Sequence, residues 1–167
     1  MSLVFLIGFM GCGKTTQGRK LARFLKVDFV DLDEIFEQKH GPISSYFEVF
    51  GENGFRQKES ELLKSTHYPQ NAIISTGGGL PVFFDNLDWM KQHGTVVYLQ
   101  VPPGIIAVRM ENAKTKRPLL QHKTGDELLQ FITQKLTERE PFYEQANLIV
   151  NGVGISPRKL VGLLKQS

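Results

Sequence analysis

The chain has 167 residues, 41% of them apolar and 22% charged, with a net charge of +3. Those proportions exclude a disordered polyelectrolyte and are those of one globular domain, residues 1–167, with room for a real interior. The positive excess is small and dispersed, which suits an anionic small molecule and argues against nucleic acid. No apolar run approaches the ~18 residues of a membrane span. The lone cysteine, Cys12, forbids an internal disulfide, and the four histidines share no ligand spacing. A cytoplasmic monomer without a membrane or nucleic-acid partner, and without a structural metal, is expected.

Leu3–Ile7 is a continuous apolar run, the pattern of a parallel strand buried on both faces. It leads straight into Gly8–Thr15, GFMGCGKT, which matches G-x-x-x-x-G-K-[ST], the phosphate-binding loop. Its glycines let the backbone curl and aim N–H groups at a phosphate chain. Lys14 supplies a cation for the outer phosphates, and the Thr15 hydroxyl is a Mg²⁺ ligand. Residues 15–26 read as a helix with Leu21, Ala22, Phe24 and Leu25 on its apolar face, which would seat the phosphates at a helix N-terminus. Gly11, Cys12, Gly13, Lys14, Thr15 and Thr16 are therefore the candidate nucleotide contacts. A dinucleotide fingerprint G-x-G-x-x-G is excluded, because Thr16 stands at its third glycine position.

Asp28–Val30 reads as the second strand, with Asp31-Leu32-Asp33 at its end. Side chains at i and i+2 of an extended chain project to one side. Two carboxylates would then point together from a strand's C-terminal end, one for the metal and one for an attacking hydroxyl. An isolated pair at this spacing would more simply be a helix start, with Asp33 capping the helix that begins at Glu34. Helical patterns follow over 33–40, 44–50 and 53–66, so residues 33–62 read as an inserted substrate-binding region. Arg56 lies there three residues before Glu59, close enough on one helix for the carboxylate to hold the guanidinium, with Phe55 as an apolar wall.

The third strand, Ala72–Ser75, ends in Gly77, Gly78 and Gly79. Consecutive glycines let backbone approach a ligand closely; a tight turn would explain one glycine but not three. A helix over 84–92, a strand over Thr95–Val101 and a helix over 104–112 come next. Residues 112–124 are polar, basic and broken by Pro118, the composition expected of a mobile lid carrying Arg117 towards the phosphates. A helix over 126–139, a strand over Leu148–Val150 and a helix over 157–165 complete the chain. The alternation predicts a three-layer α/β/α fold around a five-stranded parallel sheet. Arg56, Arg109, Arg117 and Arg139 are the candidates for meeting phosphate or substrate charge.

Taken together, Gly8–Thr15, Asp31-Leu32-Asp33, Phe55-Arg56-x-x-Glu59, Ser75-Thr76-Gly77-Gly78-Gly79, Arg117-Pro118-Leu119-Leu120 and Arg139-x-Pro141-x-Tyr143 resemble shikimate kinase in order and spacing, over essentially the whole chain. The resemblance implies a fold like the nucleoside monophosphate kinases. It implies transfer of the ATP γ-phosphoryl group to the 3-hydroxyl of shikimate, with one Mg²⁺, in aromatic amino-acid biosynthesis. By position, Lys14 would hold the β- and γ-phosphates, Thr15 would ligate Mg²⁺, and Asp31 would hold it directly or through water. Asp33 would bind shikimate and orient or deprotonate its hydroxyl. Arg56 and Arg139 would clamp the carboxylate, and Gly77, Gly78 and Gly79 would line the acceptor, the last two through their N–H groups. Glu59 would partner Arg56, and Arg117 would close from the lid. Arg109, Met110 and residues 151–157 are candidate adenine walls. Cys12 stands where such loops often carry Ser or Ala, and an exposed thiol there would make the enzyme sensitive to thiol reagents. A kinase for gluconate or a nucleoside monophosphate, or a non-catalytic nucleotide-binding module, are the alternatives. Phe55-Arg56-x-x-Glu59 with the glycine triplet favours shikimate, and Asp33, Arg117 and Arg139 favour catalysis.

Overall fold

The computed structural model describes residues 3–113 and 123–166. Strands β1 (Leu3–Ile7), β2 (Asp28–Asp31), β3 (Ala72–Ser75), β4 (Gly94–Gln100) and β5 (Leu148–Asn151) form one sheet in the order β2-β3-β1-β4-β5, with every neighbouring pair parallel. The helices are α1 (Lys14–Leu25), α2 (Leu32–His40), α3 (Ile43–Ser65), α4 (Asn86–His93), α5 (Pro103–Glu111), α6 (Gly125–Tyr143) and α7 (Pro157–Leu164), with a 3₁₀ turn at Leu80–Val82. The expected α/β architecture is therefore the observed one. No helix among the described residues is long and apolar enough to cross a membrane.

The central strand shows how the sequence builds the layers. In β1, Phe5, Leu6 and Ile7 are fully buried, and alternation sends neighbours to opposite faces. Leu6 meets α1, which packs so closely that a Cβ at Gly18 would stand 3.2 Å from Leu6 and 2.5 Å from the Phe29 ring. Phe5 meets the other layer, edge-on to Trp89 of α4 at 6.2 Å and to Tyr68 at 6.0 Å. Each such side chain contributes about 1.5–3 kcal/mol on burial. The chain leaves β1 for β2 and β3 on one side and returns to β4 and β5 on the other. The strand order reverses beside β1, and that is where an open sheet of this kind forms its crevice.

The helices expected over 44–50 and 53–66 are both present, as two segments of α3 that meet at a kink at Gly51, where φ of 68° and ψ of 179° are not helical. The positive φ suits glycine, so the break falls where a glycine allows it. Two local expectations need correction. The helix expected to stop at residue 139 runs on through Pro141 to Tyr143, because the fully buried Tyr143 ring anchors its last turn. Asp31 and Asp33 are not on one extended segment. Asp31 ends β2 and Asp33 lies in the first turn of α2, with Asp31 as the N-cap, its Oδ1 accepting from the Asp33 and Glu34 N–H groups at 3.1 and 3.4 Å. The cap is thus Asp31 rather than Asp33.

Candidate active site

The loop between β1 and α1 has the backbone its glycines were expected to permit. Gly8, Gly11 and Gly13 have φ of 139°, 76° and 99°. A Cβ at Gly11 would also crowd the Met110 side chain, lying 2.7 Å from its sulfur. Lys14 Nζ donates to the carbonyls of Gly8 and Phe9 at 2.8 and 3.0 Å, which brings its charge back over the loop. Arg109, near the end of α5, donates through Nη1 to the Gly11 and Cys12 carbonyls at 3.2 and 3.1 Å. Gly11, Cys12, Gly13, Lys14, Thr15 and Thr16 all line a cavity of about 480 Å³, together with Asp33, Ser75, Thr76, Gly78, Arg109 and Gly152. Of the candidate adenine walls, Arg109 and Gly152 face this cavity, while Met110 packs beneath Gly11. Cys12 is buried, at 1% exposure, so it is not the accessible thiol that sensitivity to reagents requires.

Beside α1, Thr15 Oγ1 donates to Asp31 Oδ2 at 2.7 Å and lies 3.4 Å from Ser75 Oγ. The cap geometry explains how one carboxylate serves two ends: Oδ1 holds α2 while Oδ2 turns to the phosphate loop. The oxygens of Thr15, Asp31 and Ser75 are hard donors, the set Mg²⁺ prefers when phosphates complete its shell.

A second cavity, of about 80 Å³, adjoins the first. Its lining includes Arg56, Glu59, Gly77, Gly79, Arg139 and Phe55, with Met10, Ile43 and Phe47, which the sequence analysis had not singled out. Ile43 and Phe47 are an i, i+4 pair on α3, a spacing that was available as a signal. Asp33 and Gly78 line both cavities. Arg56 and Glu59 are buried at 5% exposure each and joined by a 2.7 Å ion pair. The guanidinium lies against the rings of Phe83, Phe55 and Phe47 at 4.8, 5.0 and 5.9 Å. Among the described residues, Arg56 Nε is a buried donor with no hydrogen-bond partner. Burial pushes the Glu59 carboxyl up to about 7, against the downward pull of the Arg56 guanidinium. Arg139 reaches the same cavity from α6 and lies over the Phe9 ring at 5.4 Å.

Each glycine of the triplet has a different reason to lack a side chain. A Cβ at Gly77 would meet Glu59 Oε1 at 2.3 Å, one at Gly78 would meet the Met10 nitrogen at 3.1 Å, and one at Gly79 would meet the Arg56 guanidinium at 2.5 Å. All three are space requirements. The run of three records three neighbours packed against one stretch of backbone.

Arg117 lies outside the described residues, as does most of segment 112–124. The residues that flank that segment are joined, the Gly125 N–H donating to Glu111 Oε1 at 2.7 Å.

A model of the shikimate kinase family matches residues 10–165. The shikimate kinase of Bacteroides fragilis is 47% identical over 150 residues, 89% of this chain and 84% of that protein. The chain belongs to the shikimate kinase family. Its reaction is accordingly the family's ATP-dependent phosphorylation of shikimate. A crystal structure of shikimate kinase from Bacteroides thetaiotaomicron superimposes with a TM-score of 0.93 at 41% identity, covering 98% of both chains. A second, shikimate kinase from Acinetobacter baumannii in complex with shikimate, has a TM-score of 0.86 at 35% identity and covers 99% of this chain and 92% of that one. A gluconokinase from Sinorhizobium meliloti shares the fold, with a TM-score of 0.59 at 16% identity.

Proposed function

We propose that the two adjoining cavities divide the reaction between them, the larger holding ATP and the smaller holding shikimate, and that the 3-hydroxyl meets the γ-phosphate beside Asp33. The observation that carries this reading is that Asp33 and Gly78 line both cavities. Loop N–H groups at the start of α1 and the Lys14 ammonium bind the phosphates, and Lys14 exchanges its loop carbonyls for phosphate oxygens. Thr15 and Asp31 hold one Mg²⁺, which when bound neutralises charge developing on the phosphoryl oxygens. Arg56 and Arg139 clamp the shikimate carboxylate, with the Arg56 Nε donor as one contact. Glu59 keeps the Arg56 plane in register. Asp33 accepts the hydroxyl's proton or orients it for in-line attack. Arg117 supplies a further cation from a lid over 112–124, and the domain is a cytoplasmic monomer spanning residues 1–167.

The test is a coupled assay of ADP release with shikimate, gluconate or a nucleoside monophosphate as acceptor, with and without a chelator. Turnover of shikimate alone, abolished by chelation and restored by Mg²⁺, is expected. Turnover of gluconate and not shikimate would overturn the assignment.

A further inference from the structure

Tyr143 makes a contact to which the division of roles above gives no part. Its side chain is fully buried at the end of α6. Its hydroxyl donates to the Gly78 carbonyl at 2.6 Å, across 65 residues of sequence. Gly78 borders both cavities, and its neighbour Gly79 borders the smaller one. The peptide between them is trans and planar, so the Gly78 C=O and the Gly79 N–H point in opposite directions. Fixing the carbonyl towards Tyr143 therefore fixes the amide away from it. We propose that Tyr143 is a positioning residue for phosphoryl transfer: its hydroxyl sets the direction in which the Gly79 N–H is presented to the acceptor.

Two features of the structure support this. Arg139 is one helical turn earlier on α6 and lines the same acceptor cavity, so one helical face delivers both a direct ligand and the anchor of the backbone opposite it. Burial also raises the Tyr143 phenol well above its ordinary value, so the hydroxyl stays protonated and remains a donor at any working pH. Glycine at 78 and 79 makes the anchor necessary. A glycine peptide flips more easily than any other, and a side chain would be crowded by Met10 at residue 78 and would collide with Arg56 at residue 79.

The inference rests on the acceptor reading above, and its test separates the two. Tyr143→Phe removes one oxygen and keeps the ring. The enzyme, labelled with ¹⁵N-glycine, is assayed and titrated with shikimate. Wild type should turn over shikimate and show a shift of the Gly79 amide on titration; failure of either overturns the acceptor reading itself. With wild type as expected, Tyr143→Phe should raise the Michaelis constant for shikimate about tenfold, the range for a buried acceptor losing its partner. The Gly79 shift should shrink, and the dissociation constant for ADP should not change. Placing 4-aminophenylalanine at 143, which retains a donor, should restore the Michaelis constant. An unchanged Michaelis constant overturns the proposal. So does a fall in turnover alone, with both substrate constants intact and a lower melting temperature, because that is the signature of simple destabilisation.

Discussion

Adding one methyl group at Gly79 isolates the proposed acceptor clamp. In Gly79→Ala the new Cβ would stand 2.5 Å from Arg56 Cζ, Nη1 and Nη2, roughly 1 Å inside the ~3.5 Å optimum for such contacts. The backbone does not object, since Gly79 has φ −87° and ψ −19°, a region open to alanine. All the strain therefore falls on the guanidinium. An arginine tip on the surface would swing aside, but this one is pinned by Glu59 at 2.7 Å and packed against Phe83, Phe55 and Phe47. Overpacking of this kind costs about 1–3 kcal/mol, and a displaced charged hydrogen bond to substrate costs about 1.5–3 kcal/mol. The Michaelis constant for shikimate should therefore rise by about 10- to 100-fold. The nucleotide constant should hold, because the methyl is directed at the smaller cavity and Gly79 does not line the larger one. Steady-state kinetics with each substrate varied in turn measure both, and a melting curve tracks the overpacking. A variant whose shikimate constant equals that of wild type would refute the claim that Arg56, held flat on Gly79, binds the acceptor.

Other expectations concern the carboxylates. Asp33→Asn keeps the shape of the side chain that borders both cavities but removes its charge; turnover should fall by about a hundredfold or more while ADP binding, followed by calorimetry, is retained. Equal turnover would remove Asp33 from the chemistry. Glu59 should make stability depend on pH. Its carboxyl titrates at about 7 in the fold against 4.5 for the free side chain, because burial penalises the charged form. Between those values the folded protein holds a proton that the unfolded chain has released. The contribution is complete below pH 4.5 and is lost as the pH rises through about 7, with a slope of at most about 1.4 kcal/mol per pH unit. Urea unfolding of wild type and Glu59→Gln across this range should show the slope in wild type only. Parallel curves would mean that Glu59 is ionised throughout.

Much of the donor half of the site was legible because it is local. Gly8 to Thr16 is one continuous segment whose roles follow from backbone curvature and helix polarity, and the structure places Gly11 to Thr16 along the larger cavity. The proposed acceptor residues were legible singly as candidates, and only the family resemblance gave them an acceptor role. Arg56 and Glu59 stood out by their spacing and the glycine triplet by its run, Arg139 was one of four candidate arginines, and the structure brings all of them to one cavity. Periodicity had less to say where a distant partner decides the outcome. The helical pattern was read only to residue 139, and the helix continues through Pro141 to the buried Tyr143. The spacing of Asp31 and Asp33 suggested a shared extended face. Because the cap needs Asp31 Oδ1, the backbone turns helical between them and their side chains diverge in role.

The chain's order of apolar runs, glycines and helix starts was enough for the parallel sheet and the phosphate loop, since each depends on neighbours a few residues away, while the class of reaction came from the resemblance of motifs spread over the whole chain. Which atoms meet across the cleft was settled only by folding. A phenol at 143 finds a carbonyl at 78, a guanidinium at 56 lies on the bare Cα of residue 79, and Asp33 borders both cavities. Those contacts join segments far apart in sequence, and their geometry comes from how helices pack on the sheet, which no local pattern encodes.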